Sequence, residues 1–355
     1  MAAGVKAALL FLKGEYCEQV ELAALDGTRL FIPVKKVMRT PGGARAEIIK
    51  DAGDDPDITQ GVSVYTTIRL RPDQKEIIFH GGRGIGYVTK PGLSAPVGGP
   101  AINPGPRQMV RQVVAELLGP QAGLEVIVAI PAGLQLAKRT LNPLLGIRDG
   151  ISVIGTTGVL RPMSEESFKN SLVVQLDVAR AAGYHRVVFV PGKIGADIAV
   201  NVCGLPMGAV IQISNFVGFM LEAAVHHGIR QVLFVGHPGK LLKVAAGVFH
   251  THNRVADARM ETLAAYAAAE GMPSAGVRRI LSAATTEEAM PVIAEYGLER
   301  VYRILAERVS QRAVRYVFHD LYVGTVFATL QGKILGMDHE AEDIGEAFHW
   351  NIKSL

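Results

Sequence analysis

Asp51, Asp54, Asp55 and Asp57 stand within seven residues of one another, in the stretch Lys50-Asp51-Ala52-Gly53-Asp54-Asp55-Pro56-Asp57-Ile58-Thr59-Gln60-Gly61. Like charges this close repel unless donors, cations or water compensate. Gly53 admits positive φ, Pro56 removes a donor, and Asp side chains bond nearby backbone N–H groups. The stretch is therefore a loop between two β-forming runs, Glu47-Ile48-Ile49 before it and Val62-Ser63-Val64-Tyr65-Thr66-Thr67-Ile68 after it. Two chemistries fit: a solvated acidic turn, or carboxylates that face a cavity and hold a cation or orient a substrate.

Three further clusters carry chemistry-bearing residues. Gly236-His237-Pro238-Gly239-Lys240 stands where a strand gives way to a helix. It resembles half a P-loop, but its glycines are too close and Leu241 occupies the place of the Mg²⁺-binding Ser or Thr. An anion held by helix N–H groups and Lys240 fits the junction; so does a tight turn with a solvated lysine. His250-Thr251-His252-Asn253 with Asp257 and Glu261 has the residue types of a zinc or iron site, and equally those of a helix start with histidines packed beside it. Gly82, Gly84 and Gly86 form a G-x-G-x-G string after a strand. Dinucleotide binding needs a helix next, whereas Tyr87-Val88-Thr89 favours a strand and Pro91-Gly92 ends it.

The elements that must position these residues fall into two patterns. Up to about residue 145 the order is an Ala-rich helix to about Cys17, two strands around Asp26-Gly27, strands near 62–70 and 76–80, a helix over 107–118 and a strand over 124–130. That mixture indicates an α+β domain over residues 1–145. Strands near 151–155, 187–190, 209–213 and 231–235 then alternate with helices, and a last strand is expected near 314–318. Such alternation implies βαβ units, hence an α/β fold whose residues 146–355 form a Rossmann-like doubly wound domain with a mostly parallel sheet and C-terminal helices. Ligands of such sheets bind beyond the carboxyl ends of the strands.

Composition excludes several classes. Hydrophobic residues make up 49% of 355 and charged ones 20%, which argues against disorder. A net charge of +4 without a dense basic block and interleaved aromatics argues against nucleic acid and suits a small polyanion. Two cysteines, Cys17 and Cys203, make neither a disulfide framework nor a Cys-rich metal site. No apolar run is long enough for a membrane span, and the N-terminal apolar core is short for a signal peptide. A cytoplasmic protein is expected.

Lys-Asp-Ala-Gly-Asp-Asp-Pro-Asp-x-Thr-x-Gly resembles the signature of the cobalt-precorrin-5B C(1)-methyltransferases of anaerobic cobalamin biosynthesis. The resemblance extends through Thr89-Lys90-Pro91-Gly92-Leu93, Pro100-Ala101-Ile102-Asn103-Pro104, Thr140-Leu141-Asn142-Pro143, Gly155-Thr156-Thr157-Gly158, Asn215-Phe216-Val217-Gly218, Gly236-His237-Pro238-Gly239-Lys240, Thr251-His252 and Ala256-Asp257-Ala258-Arg259. Members usually begin with a Thr-Thr-Gly-Thr-Cys-like segment ahead of the Ala-rich helix. This chain starts inside that helix, which implies a late start codon or the loss of a special N-terminal loop. Members also more often have Asn where His250 stands, which weakens the His-x-His metal site.

The resemblance implies methyl transfer from S-adenosylmethionine to ring carbon 1 of cobalt-precorrin-5B, giving cobalt-precorrin-6A. The substrate carries its own cobalt, so no protein-bound metal is expected. Asp51, Asp55, Asp57, Thr156, Thr157 and Asn215 become candidates for the donor, the aspartates through ribose hydroxyls or the sulfonium charge. Thr89, Lys90, Lys240, His252 and Arg259 become candidates for the polycarboxylate rim, and Asp54 or His237 for a base. Two other readings stay open: a non-catalytic carrier of metallated tetrapyrroles, and a nicotinamide-dependent reductase of the same pathway. A homo-oligomer is compatible with all three.

Overall fold

The computed structural model describes residues 1–53, 57–155 and 165–352. The chain divides into two compact units, Met1–Phe168 and Lys169–Leu355, each a mixture of helices and sheet. The division falls later than the boundary near residue 145 read from the sequence.

In the first unit α1 (Ala2–Leu12) precedes a hairpin of β1 (Gln19–Ala23) and β2 (Arg29–Pro33). The helix stops short of the expected Cys17 because Gly14 takes φ +91 and caps it with backbone bonds to Phe11 and, through Glu15, to Leu10. A five-stranded sheet follows, built from β3 (Lys36–Thr40), β4 (Gly43–Ile49), β5 (Ser63–Leu70) and β6 (Ile77–Gly81) together with a later strand. Two short strands, β7 (Gly84–Ile85) and β8 (Tyr87–Val88), lead to α2 (Pro104–Leu118) and then to that strand, β9 (Leu124–Ala129). The order is β3-β4-β5-β9-β6, antiparallel except for β6 beside β9. Val64, Thr66 and Ile68 alternate with more exposed neighbours, as do Leu124, Val126 and Val128, so one face is buried. α1 lies against it so closely that a Cβ on Gly4 would stand 2.6 Å from Thr66 Oγ1. The short helices α3 (Gly133–Leu136) and α4 (Asn142–Leu145) precede β10 (Ile147–Arg148), which pairs with β8, and β11 (Gly150–Ile151), which pairs in parallel with β7. The strand expected over 151–155 is thus short and joins β7, not the parallel sheet.

The second unit begins within α5 (Glu165–Ala181) and continues through β12 (Arg186–Val190), α6 (Lys193–Asp197), β13 (Val210–Gln212), α7 (Val217–His226), β14 (Gln231–Gly236) and α8 (Pro238–Ala245). Four helices follow: α9 (Arg259–Ala269), α10 (Ser274–Ser282), α11 (Thr286–Glu295) and α12 (Val301–Tyr316). The chain then forms β15 (Tyr322–Ala328), β16 (Ile334–Met337) and α13 (His339–Glu346). The sheet order is β13-β12-β14-β15-β16, parallel except at β16. Val187 to Val190 and Val232 to Val235 are wholly buried, as expected of strands covered on both faces.

The strand expected near 314–318 is a correction: that stretch is the end of α12. Val301, Leu305, Val309 and Ala313 are buried at helical spacing and pack toward β15, so periodicity overrides the β-branched composition. Phe318 and His319 then take φ +53 and +69, and the strand starts only at Tyr322.

Candidate functional site

Because β12, β13, β14 and β15 run in parallel, their carboxyl ends share one edge. Polar residues gather there. A Cβ on Gly236 would come within 3.0 Å of Pro191 Cδ, so the tips of β14 and β12 touch. Beyond β13, Ser214 takes φ +55, a left-handed conformation that a non-glycine residue adopts only when its surroundings enforce it. Its carbonyl accepts a hydrogen bond from Lys240 Nζ at 3.4 Å. The next carbonyl, that of Asn215, accepts from Thr251 N at 2.9 Å, while Phe216 bridges to His250.

His237 is the N-cap of α8. Its Nδ1 accepts from Gly239 N at 3.1 Å, so the neutral ring carries its proton on Nε2, 2.8 Å from Glu287 Oε1. The two atoms stand at ion-pair distance, but Nε2 makes no regular hydrogen bond. Burial pushes the ring toward its neutral form, and the Glu287 carboxylate pulls only partly the other way. Thr286 Oγ1 donates to the second Glu287 oxygen at 3.2 Å. The Lys240 ammonium is lowered from its ordinary value, first by burial and then by the charge of Lys243.

Segment 251–258 leads from this edge into α9 without regular structure. His252 is exposed, with Nδ1 accepting from Arg254 N at 3.1 Å. Arg259 grips Asp257 through Nε at 2.8 Å and a terminal nitrogen at 2.6 Å. That pair holds the Asp257 carboxyl down at about 2 and raises the guanidinium further. His250 stacks at 5.0 Å on Phe216 and meets the His252 ring only edge-on at 6.4 Å. Asp257 therefore serves Arg259 and not the histidines. Among the described residues no three His, Cys, Asp or Glu side chains come together as a metal site.

Sequence reasoning missed three residues here. Lys243 is buried within α8 and bonds to segment 251–256; Glu287 reaches His237 from α11; Ser214 supplies the carbonyl to Lys240. Only Lys243 left a signal, as a charge inside the apolar run Leu241-Leu242-Lys243-Val244-Ala245.

The other candidates lie in the first unit or outside the described residues. The acidic stretch is the β4–β5 loop, at the sheet end where β9 and β6 also finish. Asp57 accepts from Lys50 Nζ, and from Thr59 through N at 2.7 Å and Oγ1 at 2.6 Å. Burial pushes its carboxyl up, but these donors outweigh it and the net shift is downward. Asp51 accepts from Gly53 N at 2.9 Å, which likewise lowers its carboxyl. Thr89 Oγ1 donates to Gly146 O at 2.6 Å, and the Lys90 stem lies against Gly146, whose added Cβ would meet Lys90 Cγ at 2.5 Å. Asp54, Asp55, Thr156 and Thr157 lie outside the described residues. The structure thus brings Asn215, His237, Lys240, His252 and Arg259 to one edge of the second unit and places Asp51, Asp57, Thr89 and Lys90 in the first.

The glycine string serves packing. A Cβ on Gly84 would stand 1.9 Å from Ile130 O, and one on Gly150 would stand 2.4 Å from Gly84 C, so backbones meet directly. Strand β7 lies within the string and β8 follows it, instead of a helix. Cys203 is buried, which pushes its thiol up to about 12 and makes it unreactive. Among the described residues no helix is long and apolar enough to cross a membrane.

The CbiD family profile matches residues 1–162, and that of the CbiD C-terminal domain matches residues 250–339. The chain is 48% identical over 345 residues to the cobalt-precorrin-5B C(1)-methyltransferase of Moorella thermoacetica, covering 97% of this chain and 94% of that protein. To the protein of the same name from Desulfitobacterium hafniense it is 47% identical, over 98% of this chain and 90% of the relative. A crystal structure of the cobalamin biosynthesis protein (cbiD) from Archaeoglobus fulgidus aligns at 25% identity with a TM-score of 0.35, covering 73% of this chain and 81% of that one.

Proposed function

This chain belongs to the CbiD family, and we propose that it is a cobalt-precorrin-5B C(1)-methyltransferase that uses S-adenosylmethionine as methyl donor. The observation that carries this to the level of a site is the gathering of Lys240, Arg259, His252, His237 and Asn215 at the carboxyl edge of the parallel strands. A flat polycarboxylate needs cations and N–H donors set around its rim, and Lys240 and Arg259 supply fixed charges there. Arg259 keeps N–H groups beyond the two it gives to Asp257. We read the second unit as Rossmann-like and doubly wound, supported by its three parallel strand pairs and intervening helices.

In the reaction a ring carbon attacks the sulfonium methyl. The carbon–carbon bond forms as the carbon–sulfur bond breaks, and S-adenosylhomocysteine leaves neutral. The positive charge passes to the macrocycle and is shed as a proton. Holding donor and acceptor in line supplies most of the acceleration, about 7–11 kcal/mol in well-oriented cases. His237 is the proton acceptor at this edge: burial keeps it neutral, and Nδ1 takes a proton as the Gly239 N–H bond opens. Asn215 faces the donor from the β13 tip. Asp51, Asp57, Thr89 and Lys90 belong to the first unit, and no role at this edge is assigned to them. The substrate brings the cobalt, and no metal is assigned to the protein.

Mass spectrometry after anaerobic incubation with cobalt-precorrin-5B and methyl-labelled S-adenosylmethionine tests this reading. One labelled methyl on the macrocycle with release of S-adenosylhomocysteine is expected. Tight binding of the macrocycle without transfer would favour the carrier. Reduction that depends on a nicotinamide would favour the reductase.

A further inference from the structure

Lys243 is 0% exposed on α8, yet its ammonium is fully bonded. Nζ donates to Thr251 O at 3.1 Å, to Asn253 Oδ1 at 2.6 Å and to Ala256 O at 2.9 Å. An ammonium has three protons, and all three are placed. Taking that charge out of water is costly even when it is paired, and an apolar residue in a helix core stabilises at least as well. The lysine therefore does something that packing alone does not. Its three acceptors all lie in segment 251–256, which has no helix or strand of its own. That segment is fixed at its start by the Thr251–Asn215 backbone bond, and it runs into the Asp257–Arg259 pair at its end. Between those anchors Val255 N and Arg254 N bond to His252 within the segment, and Lys243 is what ties the segment to α8. The groups facing the ammonium are these acceptors, the Asp257 carboxylate, the Arg259 guanidinium and the Lys240 ammonium.

We propose that Lys243 is a positioning residue: it fixes segment 251–256, and thereby places His252 and Arg259 for the carboxylate rim of the macrocycle without touching the substrate. This rests on the reading above that His252 and Arg259 bind that rim.

The test compares wild type with Lys243→Met, which keeps the stem and removes the charge. Two measurements are made. Titration of cobalt-precorrin-5B without donor gives a Kd, and hydrogen exchange of the free protein reads amides 251–258. A Kd weakened at least about tenfold is expected, with S-adenosylmethionine binding unchanged, and faster exchange confined to 251–258. In turnover the loss should appear in KM for the macrocycle, with kcat within about twofold. An unchanged Kd, or exchange that rises throughout the second unit, would overturn the proposal and leave Lys243 a packing residue. Should Lys243→Met fail to fold, Asn253→Ala removes one acceptor and is expected to move both readouts the same way by a few-fold; no movement there overturns the proposal too. A wild type that binds the macrocycle but transfers no methyl would end the methyltransferase reading, while the Kd and exchange comparison would still decide the role of Lys243.

Discussion

Glu287 Oε1 lies 2.8 Å from His237 Nε2 where the start of α11 meets the start of α8, while the other ring nitrogen accepts the Gly239 N–H. A carboxylate at this distance favours the imidazolium, and burial opposes it. Removing the carboxylate leaves burial alone. Glu287→Gln is expected to lower the His237 pKa further, so the acid limb of the kcat–pH profile should move to lower pH. An unmoved limb would show that His237 is not the group titrating in turnover.

His237→Asn separates the cap from the base. Asn is a good N-cap and can accept from Gly239 N, so folding should survive. General-base catalysis contributes typically 10²- to 10⁴-fold. A fall in kcat of at least about 100-fold with an unchanged melting temperature is expected. Wild-type kcat in the variant would reduce His237 to a helix cap.

Lys240 and Arg259 should differ from His237 in kinetic signature. Each is assigned to substrate carboxylates, and a hydrogen bond to a charged group is worth roughly 1.5–3 kcal/mol. Lys240→Met and Arg259→Lys are each expected to raise KM for cobalt-precorrin-5B about 10- to 100-fold. The KM for S-adenosylmethionine should stay near wild type. The Arg259→Lys change counts as a loss because an ammonium cannot hold Asp257 bidentately and still present a planar donor set. An equal rise in both KM values would place the residue at the donor instead.

Much of the second unit was legible because alternating apolar runs and turns force parallel strands, and parallel strands force their tips to one edge. Asn215, His237 and Lys240 follow from that rule. Lys243 and Glu287 do not, since both act through tertiary contacts: an isolated lysine in an apolar helix reads as a snorkelling stem, and Glu287 stands three helices beyond His237. The end of α12 misled for a different reason, β-branched residues at 314 and 317 carried by a helical burial period. In the acidic loop the composition announced crowded carboxylates, but only the structure shows Asp57 bonded to Lys50 and Thr59.

Asp338 makes a prediction about pH. It is 0% exposed, and burial raises its carboxyl to about 6 despite donors from Ser310, Thr325 N at 2.9 Å and Ala341 N at 2.8 Å. A carboxyl with a raised folded-state pKa binds its proton more tightly in the native protein. Its stabilising contribution is complete below the unfolded value near 4 and is lost as pH rises through about 6. Asp338→Asn keeps an acceptor for both backbone donors and removes the titration. Urea unfolding should show the variant more stable than wild type above pH 7, by up to about 3 kcal/mol, with the difference shrinking toward pH 4. A difference independent of pH would mean that Asp338 does not titrate in this range.

Gly84 tests what the glycine string is for. Its φ is +81, and an added Cβ would stand 1.9 Å from Ile130 O, a backbone atom that cannot rotate away. Left-handed backbone costs an alanine about 1 kcal/mol and overpacking typically 1–3 kcal/mol more. Gly84→Ala is therefore expected to destabilise the first unit by about 2–4 kcal/mol, read as a lower denaturant midpoint. A nucleotide-binding loop predicts something else: a folded variant with a lost cofactor shift, and a wild type whose melting rises with a nicotinamide nucleotide. No such rise is expected, because strand β8 follows the string and leaves no helix N-terminus there to meet a pyrophosphate. Stabilisation of the wild type by a nicotinamide nucleotide would restore the reductase reading.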